Sequence, residues 1–536
     1  MKKLDRRNLG RKESIVRSIN PATLETLGEV EATAPDEVEG VVERVRQGFP
    51  AWRDLGFERR SEVIQKAQRF LLERSEEYAR WITLEMGRSY VESLVLELEA
   101  SVDLMGYYAK RAGKFLGDRR LPVHNVFFKR RESTVHFQPL GVVGIISPWN
   151  WPLLIPLGFL VPALLAGNAV VFKHSELTPL FGMKIRELFL EAGVPEEIFQ
   201  IVQGRGSVGA ALVDSSVEKI FFTGSTAVGQ KVMLRAARSL KPVVLEMGGS
   251  DPAIVCEDAD LDITSSGIVW GGFNNCGQNC NGVERVYVHE RVAEPFIDLV
   301  VEKAKQLHIG NGMNLEIDMG PVASQGQLLK MEAIVEMAVK MGAEVLTGGR
   351  RIENLDGYFF EPTLIRWDKS IPQPTDVEIF GPIITVTPVE SDDEAVRLAN
   401  RSCFGLASSV WTRDAGYGKR IARQLEAGTV MINDVVVSFG ISEASWTGVK
   451  NSGMGWVHGE KGLDEMVNIQ YINRDPQVHT QKFWWFPYTG EMARSMKAGM
   501  NFLFARGLRK RMGGIPRVLK NFTGYLLLNR RRSDKL

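Results

Sequence analysis

One stretch constrains this chain more than any other: "VVGIISPWNWPLLIPLGFLVPALLAGNAVVF", from Val142 to Phe172, contains no charged residue. A segment this long and apolar is either a membrane span or the interior of a large core. Four prolines, Pro148, Pro152, Pro156 and Pro162, argue against one spanning helix. The pattern is instead that of a buried strand, a turn, an apolar helix and a second buried strand.

A chain of 536 residues exceeds a single hydrophobic core, so two large domains, or one with substantial insertions, are expected. Its 44% hydrophobic and 24% charged residues are ordinary for a globular protein. Four cysteines without an even pattern do not make a disulfide framework, and "MKKLDRRNLGRKES" lacks the apolar centre of a signal peptide. A reducing cytoplasm is the expected compartment. The net charge of +1 hides an asymmetry, because residues 481–536 carry 13 Lys or Arg against two acids. That surplus of 11 leaves −10 for everything before it.

Residues 37–115 show apolar positions recurring at three and four, the helical period. "NVFFKRRESTVHFQPLGVVGII" alternates and is β-branched, which suggests a hairpin reaching beyond its own domain. After it, short apolar runs such as "NAVVFK", "KIFFTG", "PVVLEMGG", "PAIVCED", "RVYVHE" and "GTVMIND" alternate with helical patterns. Strands separated by helices of this length imply parallel sheets with crossover helices. Two successive sets imply an α/β protein with two such domains and ligands at the strand ends.

Several residues could carry chemistry. "KIFFTGSTAVGQKVMLRAA" runs from a strand through Gly224, Ser225 and Gly229 into a helical pattern, where backbone N–H groups and the helix N-terminus could seat a pyrophosphate. It departs from the G-x-G-x-x-G spacing, and a structural turn is an equal reading. Lys173 and Glu176, after another strand, could contact phosphate and ribose, or form a surface ion pair. Glu246 ends a very apolar strand, where burial would raise its pKa and suit it to general-base work. Cys276 and Cys280 in "FNNCGQNCNG" have no second cysteine pair or histidine cluster nearby, so no metal is expected. From the residues alone, either cysteine could be a nucleophile or a core side chain.

In sequence order, "SPWNWP", "VVFKHSE", "FFTGSTAVG", "LEMGG", "FNNCGQNC", "EIFGP", "FGLASSVWTRD", "GTVMIND" and "GVKNSGMG" resemble the aldehyde dehydrogenase superfamily from about Asn20 to Asn473. The resemblance implies Cys280 as nucleophile, Glu246 as the base that activates water, and Asn150 with the Cys280 backbone N–H as oxyanion donors. It assigns Lys173 and Glu176 to the adenosine ribose of NAD, with NADP disfavoured by the Glu176 carboxylate. Gly224, Ser225 and Gly229 fall to the pyrophosphate, and Glu378 and Phe380 to the nicotinamide end. It further implies a cofactor domain in 15–122 and 141–247, a catalytic domain in 248–462, and an oligomerisation element in 123–140 and 463–480 that builds a homodimer or homotetramer. Where many members read "PFGG", this chain has "SWTG", and Trp446 with Trp151 is expected to line an apolar substrate channel. The expected substrate is an apolar medium- to long-chain or aromatic aldehyde. The alternatives are a semialdehyde, a CoA-acylating reaction, or a non-catalytic scaffold on the same fold.

The tail from residue 481 lies beyond the resemblance. A helix over 494–511, rich in arginine and preceded by Trp484 and Trp485, suits the surface of an anionic membrane. Peripheral attachment to the inner face of a membrane through residues 482–536 is the expectation, with docking across the enzyme's own subunit interface or a solvated tail as the alternatives. Nucleic acid is not an expected partner, because no recognition motif accompanies the charge.

Overall fold

The computed structural model describes residues 14–126, 128–371, 373–477, 482, 484–507 and 511. These fall into two compact units, one within 1–117 and 137–469 and the other within 118–136 and 470–536.

In the first unit the helical period of residues 37–115 resolves into the helices Val38–Asp54, Phe57–Glu73, Ser75–Met86 and Glu99–Leu116. Val38, Val41, Val42 and Val45 form the buried stripe of the first, and Ile64, Ala67 and Leu71 that of the second. Before the fourth helix the backbone widens into a π turn over Ser93–Leu98, which buries Glu97.

The charge-free stretch is the interior of this unit. Val142–Ile146 and Ala169–Lys173 are strands buried at every position, and the helix Leu154–Ala166 between them is buried along its whole length. Pro162 is accommodated inside that helix, which ends at Gly167 in a left-handed conformation (φ +93°). Among the described residues no helix is long and apolar enough to cross a membrane.

A six-stranded sheet runs in the order Gly453–Met454, Val243–Glu246, Lys219–Thr223, Val142–Ile146, Ala169–Lys173, Phe199–Ile201. All pairs are parallel except the edge pair of Gly453–Met454 with Val243–Glu246. Strand order reverses between Val142–Ile146 and Lys219–Thr223, and at such a switch point the crevice at the carboxyl ends of the strands receives ligands. Three chemistry-bearing segments leave there: "SPWNWP", "GSTAVG" and Glu246 itself.

A seven-stranded sheet has the order Glu344–Thr347, Thr363–Arg366, Ile383–Val389, Val283–His289, Asp251–Val255, Ala407–Trp411, Thr429–Ile432. It is parallel except for the antiparallel Glu344–Thr347 edge. The expected hairpin is not formed as such. Val142–Ile146 joins the six-stranded sheet, whereas Glu132–Pro139 lies between Val467–Arg474 and Arg119–Arg120 in a three-stranded sheet. The tight turn at Gly141 (φ +129°) sends the two strands to different partners.

The second unit begins at Asp118 because Arg119–Arg120 pairs with Thr134 and Val135. Asn473 donates to the Ser133 hydroxyl at 2.9 Å, and Phe128 meets Trp484 edge-on at 5.4 Å. Its helix spans Gly490–Phe504, not 494–511. It starts earlier because the Thr489 hydroxyl caps the Met492 N–H at 3.2 Å. It stops earlier because Ala505 is extended and Gly507 is left-handed (φ +97°). Of the expected tail over 482–536, residues 483, 508–510 and 512–536 lie outside the described residues.

Candidate active site

Cys280 follows a loop whose backbone departs from ordinary geometry. Asn275, Cys276 and Gly277 all have positive φ, at +50°, +55° and +67°. A Cβ on Gly277 would lie 2.1 Å from the Gly381 carbonyl oxygen, so no other residue fits there. Left-handed turns at non-glycine residues persist only where surrounding contacts enforce them, and here those contacts are hydrogen bonds. The Glu92 carboxylate accepts from the Asn275 N–H at 3.0 Å. Asn275 Nδ2 donates to the Asn150 carbonyl at 3.0 Å, and Asn150 Nδ2 donates to the Gln278 carbonyl at 3.0 Å. Trp151 Nε1 donates to Asn279 Oδ1 at 2.9 Å. The "SPWNWP" turn and the cysteine loop are thus tied by side-chain hydrogen bonds, two to backbone carbonyls and one to a side chain.

The tie extends into the helical layer. Glu97, fully buried on the π turn, accepts from the Leu153 and Leu154 N–H groups at 2.6 and 3.0 Å and pairs with buried Arg88. The Arg88 guanidinium lies 4.4 Å from the centre of the Trp151 ring. Sequence reading missed Arg88, Glu92 and Glu97, since a charged residue on or beside a helical pattern reads as a solvated one. Only the run of apolar neighbours around Glu97 could have betrayed its burial.

Cys276 is 2% exposed within the hydrophobic core, which makes it a packing residue. Cys280 is partly exposed and opens onto a cavity of about 330 Å³. Asn150, Gly224, Ser225, Glu246, Glu378 and Phe380 line the same cavity. Burial raises the Cys280 thiol pKa, and the charges of Asp251, Glu246 and Glu378 raise it further. Burial likewise holds the Glu246 carboxyl well above the usual range, opposed by a hydrogen bond from Trp446.

The glycines of the Gly224 turn are required by packing within the protein. A Cβ on Gly224 would strike the Phe222 ring at 2.7 Å, and one on Gly229 would strike Met247 Sδ at 2.4 Å. Ser225, which lines the cavity, sits at the N-cap of the helix Thr226–Ala236. Gly229 itself packs against Met247 and is not among the residues lining the cavity. At the end of the neighbouring strand Lys173 Nζ lies 3.1 Å from Glu176 Oε2, outside this cavity. The lysine side chain is buried and the glutamate part-buried, so this is not a surface pair. Burial acts to raise the Glu176 pKa, but the Lys173 charge and hydrogen bonds outweigh it and the net shift is downward.

Glu378 packs against Gly248, where a Cβ would lie 1.9 Å from its Oε1. Burial raises its pKa, and the charge of Lys330 works against that rise. Phe380 has φ +55° and meets Trp149 edge-on at 5.6 Å. Its loop is pinned by Glu284, which accepts from the Ile379 and Phe380 N–H groups at 2.9 and 2.8 Å. Lys330 and Gln327 also line the cavity and carry no signal in the sequence.

Two expectations need correction. Trp151 is not among the cavity residues; its ring is buried under Arg88 and its N–H is committed to Asn279. Trp446 is 2% exposed, and its N–H is committed to Glu246 Oε2 at 2.8 Å. Both indoles brace the site. Among the described residues no group of three or more His, Cys, Asp or Glu could hold a metal ion.

The model of the aldehyde dehydrogenase family matches residues 9–472. The chain belongs to that family. It is 35% identical over 483 residues to a chloroplastic betaine aldehyde dehydrogenase of Beta vulgaris, covering 89% of this chain and 95% of the relative. It is 36% identical over 455 residues to a mitochondrial succinate-semialdehyde dehydrogenase of Arabidopsis thaliana, covering 84% and 85%. The fold superposes on the crystal structure of a Staphylococcus aureus betaine aldehyde dehydrogenase in complex with NAD+ with a TM-score of 0.83 and 32% identity, covering 89% of this chain and 94% of that one. As a member of the family the protein is an oxidoreductase acting on aldehydes.

Since burial and neighbouring carboxylates raise the Cys280 pKa, the thiolate is expected to form only at alkaline pH in the free enzyme. Alkylation of Cys280 by iodoacetamide, followed by peptide mass spectrometry, is expected to be slow at pH 7 and still accelerating above pH 9. A rate already level by pH 7.5 would contradict this.

Proposed function

We propose that the protein oxidises an aldehyde to the carboxylic acid with NAD, using Cys280 as nucleophile and water as the acyl acceptor. One observation carries the reading: Cys280, Asn150, Glu246 and the Gly224–Ser225 turn line a single cavity. The Cys280 thiol gives up its proton to solvent as the sulfur adds to the aldehyde carbon, and the developing oxyanion is met by the Asn150 side-chain amide and the Cys280 backbone N–H. A nicotinamide held at the Glu378 and Phe380 end would supply the hydride acceptor, and Cys280 would then carry the acyl group as a thioester. Glu246 then takes a proton from water as the water oxygen attacks the thioester carbonyl. The C–S bond breaks, and Cys280 is regenerated as the acid departs.

The residues fit a dinucleotide. Side-chain-free backbone at Gly224 and the N-terminus of Thr226–Ala236 suit a pyrophosphate. The Thr223 hydroxyl is buried without a protein partner at the same edge, and Glu378 with Lys330 offers polar contacts at the other end. Glu176 supports NAD over NADP, because its carboxylate accepts from a ribose hydroxyl and repels a 2′-phosphate. In this reading 15–122 and 141–247 serve the cofactor, and 248–462 supplies the nucleophile. Residues 123–140 and 463–480 build a homodimer or homotetramer.

The apolar cavity wall of Trp149, Ile155, Leu177 and Met247 supports a medium- to long-chain or aromatic aldehyde. A semialdehyde is the second reading, favoured by the succinate-semialdehyde relative. Mixing enzyme and NAD with a panel of both kinds is expected to give a burst of NADH with the apolar members at the highest kcat/KM. Cys280→Ala is expected to abolish the burst. A burst in that variant would overturn the mechanism, and a preference for succinate semialdehyde would overturn the substrate class.

Attachment of residues 482–536 to an anionic membrane is a further part of the proposal. It is supported by the 11 surplus positive charges from residue 481 and by the exposed face of Gly490–Phe504, where Met500 and Phe504 stand beside Arg494 and Lys497. Full-length protein is expected to sediment with phosphatidylserine vesicles and a variant lacking 482–536 to stay in solution. Equal sedimentation of the two would refute the attachment.

A further inference from the structure

The indole of Trp446 and the carboxylate of Glu246 lie 200 residues apart in sequence and 2.8 Å apart in space. The fold makes this contact deliberately. Gly453 pairs in antiparallel register with Glu246, so the segment following Trp446 lies along the very strand that ends in the glutamate. Trp446 and Val457 exchange two backbone hydrogen bonds, at 2.7 and 2.9 Å, which closes the segment into a loop. The Trp446 ring meets Phe439 edge-on at 5.3 Å, and Phe439 in turn lies 4.5 Å from the buried His458 ring. The indole is therefore fixed from its backbone and from its ring, and its N–H has one acceptor.

The consequence for Glu246 is asymmetric. Oε2 accepts the indole hydrogen, while Oε1 is buried with no protein partner. One oxygen is held and the other is left to receive a proton. We propose that Trp446 is a positioning residue that orients Glu246 through its indole N–H and sets the rate at which the acyl-enzyme is hydrolysed. This rests on the reading of Glu246 as the base. In the hydrolytic step a water hydrogen moves to Glu246 Oε1, the water oxygen bonds the thioester carbon, and Cys280 leaves with the electrons of the C–S bond. The N–H on Oε2 stabilises the ionised form that accepts the proton, at a place where burial otherwise favours the neutral acid.

The other titratable groups around Glu246 are accounted for. Cys280 lines the same cavity, with Glu378 and Lys330 also on its wall. His458, behind Phe439, is kept neutral by burial, which lowers its pKa to about 4. None of these groups has a hydrogen bond to the carboxylate among the described residues, and its donor is the Trp446 indole. Phenylalanine at position 446 would keep the ring contact with Phe439 and lose the donor.

Trp446→Phe should leave the NADH burst intact and slow the steady state about ten- to a hundredfold, the range of one hydrogen bond to a charged group. The acidic limb of steady-state kcat should move to higher pH, because the base without its donor ionises less readily. Acyl-enzyme decay, followed by quenched mass spectrometry over hours, is then compared in four proteins: wild type, Trp446→Phe, Glu246→Gln and the double variant. Trp446→Phe should slow decay in the wild-type background and change nothing in the Glu246→Gln background. Equal slowing in both backgrounds, or an unmoved pH limb, overturns the positioning role. Fast decay in Glu246→Gln alone would instead remove Glu246 as the base, a separate failure.

Discussion

Everything chemical in this protein depends on a short lattice of buried amides that holds two loops together. Asn150 and Asn275 each spend a side-chain N–H on a main-chain carbonyl across the gap between the "SPWNWP" turn and the cysteine loop. The loop they clamp contains three consecutive positive-φ residues, a conformation that does not persist without external contacts. Because the partners are buried, each lost bond would also leave an unpaired polar group, so the lattice is cooperative in the sense that partial satisfaction is costly. Its outer supports, Glu92 on Asn275 and Glu97 on Leu153 and Leu154, extend it into the first helices of the chain. The N-terminal helical layer thus acts on the site without touching the cavity.

The same burial that fixes the lattice also sets the resting chemistry. Cys280 and Glu246 are both pushed towards their neutral forms. Two negative charges facing one another across a small cavity would be unfavourable, and neutral partners avoid that. Burial disfavours charge on both groups, and in the proposed mechanism oriented donors, the Asn150 amide and the Trp446 indole, favour charge where it develops. The donors are fixed by the fold, so little reorganisation accompanies the reaction.

Much of this was legible in the sequence, and the remainder has a common physical cause. The parallel strands were visible because burial on both faces leaves unbroken apolar runs such as "AVVFK" and "VVGII". The cysteine, the glutamate and the glycine turn were visible through the family resemblance, and the structure brings all three to one cavity. What sequence could not reveal were contacts made between distant segments. Trp446 was expected to face substrate because it stands in "SWTG" where many members read "PFGG", yet its N–H is used on Glu246. Trp151 was misread with it, its N–H going to Asn279. Glu92 and Glu97 look like solvated helix residues until the π turn rotates Glu97 inward. Glu132–Pro139 has an alternating pattern that fixes a strand but not its partner, and Gly141 sends it away from Val142–Ile146.

The most direct measurement is the rate of the first NADH burst in Asn275→Ala, a residue that touches the loops and does not line the cavity. If the amide lattice sets the position of the Cys280 sulfur, its loss should slow the burst by about a hundredfold, as displacement of a reacting atom by about 1 Å does. A burst at the wild-type rate, in a variant that remains folded, would contradict the account.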